Sequence, residues 1–236
     1  MMVYEYCKEM NMITNIYGKS SYYAPESIYR CVNHLKAESP WSDLDFIPAS
    51  FVGTSPAKYV SDNRMSEAGD MMFYGAASKK TAMIEVGRAK DTDEDKNAHF
   101  NPATIGLFHP NKMFKLLNLT GIEERKCPSI FEPNSDKKRE SWLFIKNFTE
   151  LISEEKHNGN SYKPTQVLTK YFQRRTNLKG IMYNSSKVKS GTKDRMCYVL
   201  FVSNRNCLDV EQQADSSKTQ LIMEECEQIG FDTIGI

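Results

Sequence analysis

The sequence predicts an α+β fold, in which a mixed β-sheet carries packed helices. Segments with strand-like and helix-like patterns are interspersed along the 236 residues, without the regular alternation of a doubly wound parallel sheet. The G-x-G-x-x-G turn of a dinucleotide-binding Rossmann sheet is also absent. A chain of this length forms one large domain or two small ones, and it can bury a core without disulfide or metal staples.

Composition narrows the class of protein. The chain has 31 Lys and Arg against 30 Asp and Glu, and a net charge of +1 gives no global reason to expect nucleic-acid binding. No stretch approaches the roughly 18 apolar residues of a membrane span, and the polar start has no secretory-signal pattern. The six cysteines are dispersed without a C-x-x-C pair, which is typical of reduced thiols. We therefore expect a cytoplasmic protein that neither spans a membrane nor holds a metal.

The first half of the chain is predicted to supply most of the strands. Residues 1–27 are weakly patterned and form the expected N-terminal lead-in to a domain over 28–236. β-Branched and aromatic runs predict strands at Ile28–Val32, Met71–Ala76, Ala103–Phe108 and Met113–Leu119. Ser78 is the expected N-cap of a helix over 78–86. Loops are expected where Pro, Gly or charged residues cluster, at 38–62 and 90–96.

The second half of the chain is predicted to be richer in helix. Apolar residues at helical spacing predict two helices on either side of a polar loop, at 138–153 and 165–176. Two further strands are expected at Gly180–Tyr183 and Cys197–Val202. A C-terminal helix at 218–228 is expected to pack on the domain, with formation of a homodimer as the alternative role.

Two familiar kinds of site are incomplete in this sequence. Gly18-Lys19-Ser20 resembles the end of a phosphate-binding P-loop, but Ile13 stands where that motif requires its first glycine. The four His are scattered through loop-like sequence, and no Cys or His pair has the spacing of a zinc site. Neither pattern therefore supports a function.

The candidate site consists of polar residues in or beside apolar segments. Glu85 lies in the apolar run T-A-M-I-E-V, where an ionisable side chain is costly to bury and needs a reason. Arg64 stands in a Gly-containing loop, Tyr74 in a predicted strand, and Ser185 where a strand gives way to a loop. Taken singly, each also fits an ordinary role: the end of an amphipathic helix, a surface cation, a core aromatic or a turn former.

Taken together, these segments resemble the RES domain, a family named for its Arg, Glu and Ser. The motifs N-R-M-S-x-A-G, F-Y-G-A, T-A-x-x-E-V and G-I-x-Y-x-S-S follow one another in the order that the family shows. The segment 162–172 and Y-V-L-F at 198–201 also look like the RES half of larger proteins that carry a HEPN-type region. The resemblance covers most of the chain, with one departure, Gly53-Thr-Ser-Pro56, where the family often has G-x-P-P.

The resemblance implies a fold similar to the ADP-ribosyltransferase toxins, with NAD held in the cleft of a split mixed sheet. RES proteins are usually the toxin of a toxin–antitoxin pair. They consume NAD by hydrolysis or phosphorolysis at the nicotinamide–ribose bond, and some relatives are reported to modify a protein target. NAD is thus the expected substrate and an antitoxin protein the expected partner. Contact with nucleic acid is expected only through an antitoxin.

The chemistry of NAD cleavage gives each matching residue an expected role. Glu85 is expected to stabilise the positive charge that develops on the ribose. Arg64 is expected to clamp the pyrophosphate, and Arg30 to make a second phosphate contact. Tyr74 is expected to stack on the nicotinamide ring, and Ser185 to hydrogen-bond the carboxamide or the ribose.

The primary hypothesis from the sequence is therefore an NAD glycohydrolase or phosphorylase that releases nicotinamide. One alternative is an ADP-ribosyltransferase that shares the same site and acts on a macromolecule. The other is a module that binds NAD or a protein partner without catalysis. The sequence leaves the acceptor open among water, phosphate and a macromolecule.

Overall fold

A computed structural model describes residues 3–19, 22–34, 46–87, 102–153, 163–188 and 195–229. The predicted loops at 90–96 and 154–162 and part of the predicted loop at 38–62 lie outside these residues. The strands are β1 (Ile13–Ile16), β2 (Ile28–Asn33), β3 (Phe73–Ala76), β4 (Ala103–Pro110), β5 (Phe114–Asn118), β6 (Gly180–Asn184), β7 (Met196–Leu200), β8 (Cys207–Asp209) and β9 (Leu221–Ile229). The helices are α1 (Val3–Glu9), α2 (Ala49–Val52), α3 (Lys79–Glu85), α4 (Ser135–Ser153) and α5 (Lys163–Arg175). Among the described helices, none has the length and apolar character needed to cross a membrane.

The described strands form one mixed sheet, in the order β1-β5-β6-β7-β3-β2-β4-β9-β8. Most neighbours are antiparallel, whereas β5 with β6 and β8 with β9 are parallel. β1, which belongs to the predicted lead-in, pairs with β5 and extends the sheet at one edge. The predicted α+β class, a mixed sheet with packed helices, is confirmed.

The strand pairing of the sheet is shortest between β2 and β3. These strands share a single facing pair, Tyr29 with Ala76, whereas β3 faces β7 over four pairs and β2 faces β4 over six. Arg30 spans the gap that this leaves: its Nη1 donates to the backbone oxygen of Tyr74 at 2.8 Å. Its Nε donates to the backbone oxygen of Val52 at 2.8 Å. A guanidinium thus satisfies a strand carbonyl that the shortened ladder leaves without a backbone donor.

The two faces of the sheet bury different cores. On one face, Phe73, Tyr198 and Leu200 pack with Ala49 and Val52 of α2. On the other face, α4 and α5 cover the sheet, and Phe148 meets Phe172 with ring centroids 6.3 Å apart. Side chains alternate between the faces along each strand: on β7, Tyr198 and Leu200 belong to the first core and Val199 to the second.

The local signals behind several predicted elements are visible in the structure. Ser78 is the N-cap of α3, and its Oγ accepts a hydrogen bond from the backbone N–H of Thr81 at 3.2 Å. The first residue of β6 has to be glycine, because a Cβ on Gly180 would lie 2.4 Å from the backbone oxygen of Val199 on the neighbouring strand. The two predicted strands of the second half are confirmed as β6 and β7, and the two central helices as α4 and α5.

The predicted C-terminal helix at 218–228 is wrong. Its residues lie mostly in β9, which pairs with β4 along its whole length and with β8 over Leu221–Met223. Glu, Gln, Leu and Met favour a helix locally, but Leu221, Ile222 and Met223 are buried against the sheet, and this burial outweighs the local preference. The sequence interpretation also missed β8 as a strand.

The strand assignment of β9 predicts how two substitutions will differ. We expect Leu221→Ala to lower the free energy of unfolding by about 2–5 kcal/mol, because Leu221 is fully buried in the core beneath α2. Glu225→Ala on the exposed part of the same strand should change it by less than about 0.5 kcal/mol. Urea denaturation followed by circular dichroism measures both. Equal midpoints for the two variants would contradict this account of β9.

Candidate active site

A cavity of about 500 Å³ opens where β2 and β3 share only one facing pair. This volume lies within the range of roughly 300–1,000 Å³ that is usual for small-molecule sites. Its wall includes four of the predicted site residues, Arg30, Arg64, Tyr74 and Glu85. The structure therefore brings together residues that lie far apart in the chain, beside the shortest strand pairing of the described sheet.

Glu85 is the acidic centre of this group. It is the last residue of α3, where the exposed carbonyl end of a helix disfavours a negative charge. Two neighbours compensate: the hydroxyl of Ser185 donates to Glu85 Oε1, and Lys187 Nζ donates to the backbone oxygen of Glu85 at 2.7 Å. The carboxylate is thus held in one orientation at the cavity wall.

Ser185 lies behind Glu85, outside the set of residues that line the cavity. Its side chain is only 2% exposed, and the backbone N–H of Lys187 donates to its Oγ at 3.1 Å. It directly follows β6, which places its hydroxyl beside the end of α3. In this arrangement the Ser185 hydroxyl contacts the carboxylate of Glu85, and its expected contact with the carboxamide or the ribose stays a prediction.

Arg64 sits in the loop that precedes β3. One nitrogen, Nη1, donates to the backbone oxygen of Ile152 at 2.6 Å, at the carbonyl end of α4. Arg64 lines the cavity together with its neighbours Asp62 and Asn63. Because a guanidinium has five N–H donors, this single bond can anchor the side chain and still leave donors for an anionic ligand.

Tyr74 presents a neutral phenol to the cavity. Its hydroxyl shares a hydrogen bond of 2.9 Å with Ser66 Oγ. Burial raises the pKa of Tyr74 to about 12, while the hydrogen bond from Ser66 and the charge of Arg30 oppose the rise. The ring is therefore fixed at its polar end, in a residue that both packs against the core under α4 and α5 and lines the cavity.

Tyr183 also lines the cavity, and the sequence interpretation did not include it. Burial raises the pKa of Tyr183 well above its usual value, and the nearby charge of Glu85 adds to this, whereas Arg64 opposes it. One signal was available: Tyr183 stands two residues before Ser185 in the G-I-x-Y-x-S-S motif. Residues two apart share a face of a strand.

Arg30 has a different environment from the other members of the group. It points to the sheet face opposite Tyr29 and Cys31, and its guanidinium lies over the ring of Phe73 at 5.3 Å. Burial lowers the pKa of Arg30. Both of its hydrogen bonds in the described structure go to backbone carbonyls, those of Val52 and Tyr74. Arg30 thus holds the sheet together at the cavity wall, and a contact with phosphate remains a prediction.

The raised pKa of Tyr74 predicts a shifted titration. Because the folded-state pKa lies above the usual value near 10, the neutral phenol stabilises the fold fully below about pH 10, and this contribution is lost as the pH rises through about 12. We expect the tyrosinate absorbance that wild type shows in excess of Tyr74→Phe to appear near pH 12. Circular dichroism over the same range reports whether the protein is still folded. A difference already complete near pH 10 in folded protein would contradict the burial of this phenol.

Comparison with known proteins identifies the family of this chain. The family model of the RES domain matches residues 27–222, which is most of the chain. A search of curated proteins and a search of solved structures each found no significant match. RES domains are commonly NAD-related toxin domains. The matched region contains the cavity and all five predicted site residues, and the chain belongs to the RES domain family.

Proposed function

We propose that this protein is an NAD-consuming enzyme that cleaves the bond between nicotinamide and ribose. One observation carries the proposal: the Glu85 carboxylate is held by the Ser185 hydroxyl on the wall of a cavity of about 500 Å³ that Arg64 and Tyr74 also line. Membership of the RES domain family supports the same substrate. As an enzyme of this family it would act as the toxin of a pair in the cytoplasm, with an antitoxin protein as its partner.

The reaction needs little acid catalysis. The bond between the ribose anomeric carbon and the pyridinium nitrogen breaks, and its electron pair leaves with neutral nicotinamide. The ribose becomes positively charged in an oxocarbenium-like transition state, as in glycoside hydrolysis. Water then adds and loses a proton to give ADP-ribose, or phosphate adds to give ADP-ribose phosphate. A fixed negative charge beside the ribose is therefore the most useful group that the protein can supply.

The position and contacts of Glu85 support this role. Its orientation is set before substrate arrives, because Ser185 holds Oε1 and Lys187 holds the backbone oxygen of the same residue. Only Oε1 is used by Ser185, so Oε2 can accept a hydrogen bond from a ribose hydroxyl. A preorganised carboxylate stabilises developing positive charge without reorganisation during the reaction.

The remaining residues fit recognition of the rest of the NAD molecule. Arg64 is anchored by one nitrogen to Ile152 and can offer its other donors to the pyrophosphate. Tyr74 has its hydroxyl tied to Ser66, which fixes the ring for stacking on nicotinamide. Tyr183, beside Glu85, supplies a second aromatic surface in the same cavity.

The direct test is incubation of purified protein with NAD, with and without phosphate, followed by chromatography of the products. We expect nicotinamide release that falls at least about 100-fold in Glu85→Gln, since a fixed charge of this kind contributes about that much. Glu140→Gln is the matched control, because Glu140 is exposed on α4. The phosphate dependence identifies the acceptor, and labelled NAD appearing on a macromolecule would identify a transferase. NAD binding without nicotinamide release would contradict the proposal and favour a binding module.

Arg64 and Arg205 offer a second matched comparison. We expect Arg64→Ala to reduce kcat/KM for NAD by at least about tenfold, because a charge-assisted contact with the pyrophosphate is lost. Arg205 is exposed on a short 3-10 helix outside the cavity, and Arg205→Ala should retain wild-type kinetics. Steady-state kinetics of nicotinamide release measure both variants. Wild-type kcat/KM in Arg64→Ala would remove Arg64 from the site.

The position of Ser185 predicts a selective effect on turnover. We expect Ser185→Ala to lower kcat roughly 10- to 100-fold with a smaller change in KM, because the carboxylate loses its orientation while the binding wall is retained. The neighbouring Ser186 is exposed, and Ser186→Ala should behave as wild type. A rise in KM at unchanged kcat would instead indicate that Ser185 contacts the ligand directly.

A further inference from the structure

Helix α5 makes a dense set of hydrogen bonds to the loop that carries Arg64. This loop, residues 61–70, runs between a short 3-10 helix and β3, and it has no regular secondary structure of its own. It supplies Asp62, Asn63 and Arg64 to the cavity wall. The conformation of this loop therefore determines the position of the Arg64 backbone, from which its side chain extends to the cavity.

Gln166 of α5 is the centre of these contacts. Its Nε2 donates to the backbone oxygens of Asn63 at 2.9 Å and Ser66 at 3.1 Å, and it lies 3.4 Å from Asp62 Oδ1. The side chain is only 1% exposed. All three neighbours are acceptors, so only the amide nitrogen can face them, and the orientation of the amide is determined.

Gln166 Oε1 shows that this contact is made at a cost. The atom is buried and has no hydrogen-bond partner among the described residues. An unsatisfied buried acceptor destabilises a fold, and a Leu or Met at this position would carry no such acceptor. What the amide provides, and an apolar residue at this position would lack, is a pair of hydrogen bonds to two backbone carbonyls of the loop.

Thr165 continues the same contact toward the site. Its hydroxyl donates to the backbone oxygen of Arg64 itself, and its side chain is buried. Lys170, one turn further along α5, lies between Glu67 at 2.5 Å and Asp70 at 2.9 Å. These ion pairs are partly exposed and contribute little by themselves, but they extend the attachment over the whole loop.

The same loop also contacts a second predicted site residue, Tyr74. Ser66, whose carbonyl Gln166 holds, shares its Oγ hydrogen bond with the hydroxyl of Tyr74. One buried amide thus fixes the backbone on both sides of Arg64 and the residue that ties down Tyr74. Neither Gln166 nor Thr165 lines the cavity.

We propose that Gln166, with Thr165, is a positioning residue that sets substrate affinity by holding the loop from which Arg64 reaches the cavity. The proposal rests on the proposed function, in which Arg64 binds the pyrophosphate of NAD. If Gln166 acts through a binding residue, its loss should appear in KM. A residue needed only for stability would instead reduce the amount of active protein and so the apparent kcat.

The kinetic test compares Gln166→Met with Gln173→Met. Methionine keeps the length of the side chain and removes the donor, and Gln173, on the same helix, makes no hydrogen bond to the loop among the described residues. We expect Gln166→Met to raise KM for NAD roughly 10- to 100-fold, the range of one charge-assisted hydrogen bond, with kcat changed less than about threefold. Gln173→Met should match wild type. If Gln166→Met does not fold, Thr165→Val replaces the hydroxyl that donates to Arg64 with a methyl group and should also raise KM.

The proposal predicts that the effect of Gln166 depends on Arg64. In an Arg64→Lys background, Gln166→Met should raise KM much less than it does in the wild-type background, because the two changes remove one interaction. Equal effects in both backgrounds would show that Gln166 does not act through Arg64. A fall in kcat at constant KM would likewise overturn the proposal.

Hydrogen exchange tests the same proposal without substrate. The backbone N–H groups of Asn63 and Ala68 donate within the loop, to Ser66 and Asp62, and that of Gly69 donates to Val60 just before the loop. We expect these amides to exchange faster in Gln166→Met, while amides of β6 and β7 keep their protection. Unchanged exchange in the loop would overturn the proposal even if NAD is not the substrate. Absence of nicotinamide release by wild type would instead overturn the proposed function alone.

Discussion

The single facing pair between β2 and β3 accounts for both the position of the cavity and the hydrogen bonds of Arg30. The other neighbouring strands of the sheet face each other over at least three pairs. Between β2 and β3 there is one pair, and the cavity opens beside it. The open carbonyl of Tyr74 then needs a donor, and Arg30 supplies it from the neighbouring strand. The same gap therefore explains why a charged side chain is tolerated in a buried strand and why the cavity forms beside Tyr74.

Two charged residues that line the cavity lie at the carbonyl ends of helices, Glu85 on α3 and Arg64 beside α4. A carboxylate at the carbonyl end of α3 is unfavourable on its own, and the hydroxyl of Ser185 and the ammonium of Lys187 lie where they offset this. Arg64, which also lines the cavity, is held by the carbonyl end of α4, where a cation is favoured. The site thus places a fixed negative group and a fixed positive group on one wall, an arrangement suited to a substrate that joins a cationic ring to an anionic pyrophosphate.

Much of the fold follows from local sequence signals, and the failures occur where those signals conflict with packing. α3 was predictable from its cap and its apolar face, and β6 and β7 from their β-branched and aromatic runs. β9 was not, because Glu, Gln and Met favour a helix and the burial of Leu221 against the sheet is a long-range effect. Motif order indicated which polar residues to consider. It could not show that Ser185 bonds to Glu85, a contact between residues 100 positions apart, or that Arg30 faces the other side of the sheet. Gln166 and Thr165 looked only like the start of a helix, since the partner of each lies in a distant loop.

The most direct test of this account is a crystal structure of the Glu85→Gln protein with NAD. The account predicts that NAD occupies the cavity between β2 and β3. The side chain at position 85 should then lie within hydrogen-bond distance of the nicotinamide ribose, about 2.7–3.2 Å from a ribose hydroxyl, with the pyrophosphate at Arg64. NAD bound elsewhere on the molecule, or bound in the cavity with its ribose remote from position 85, would contradict it.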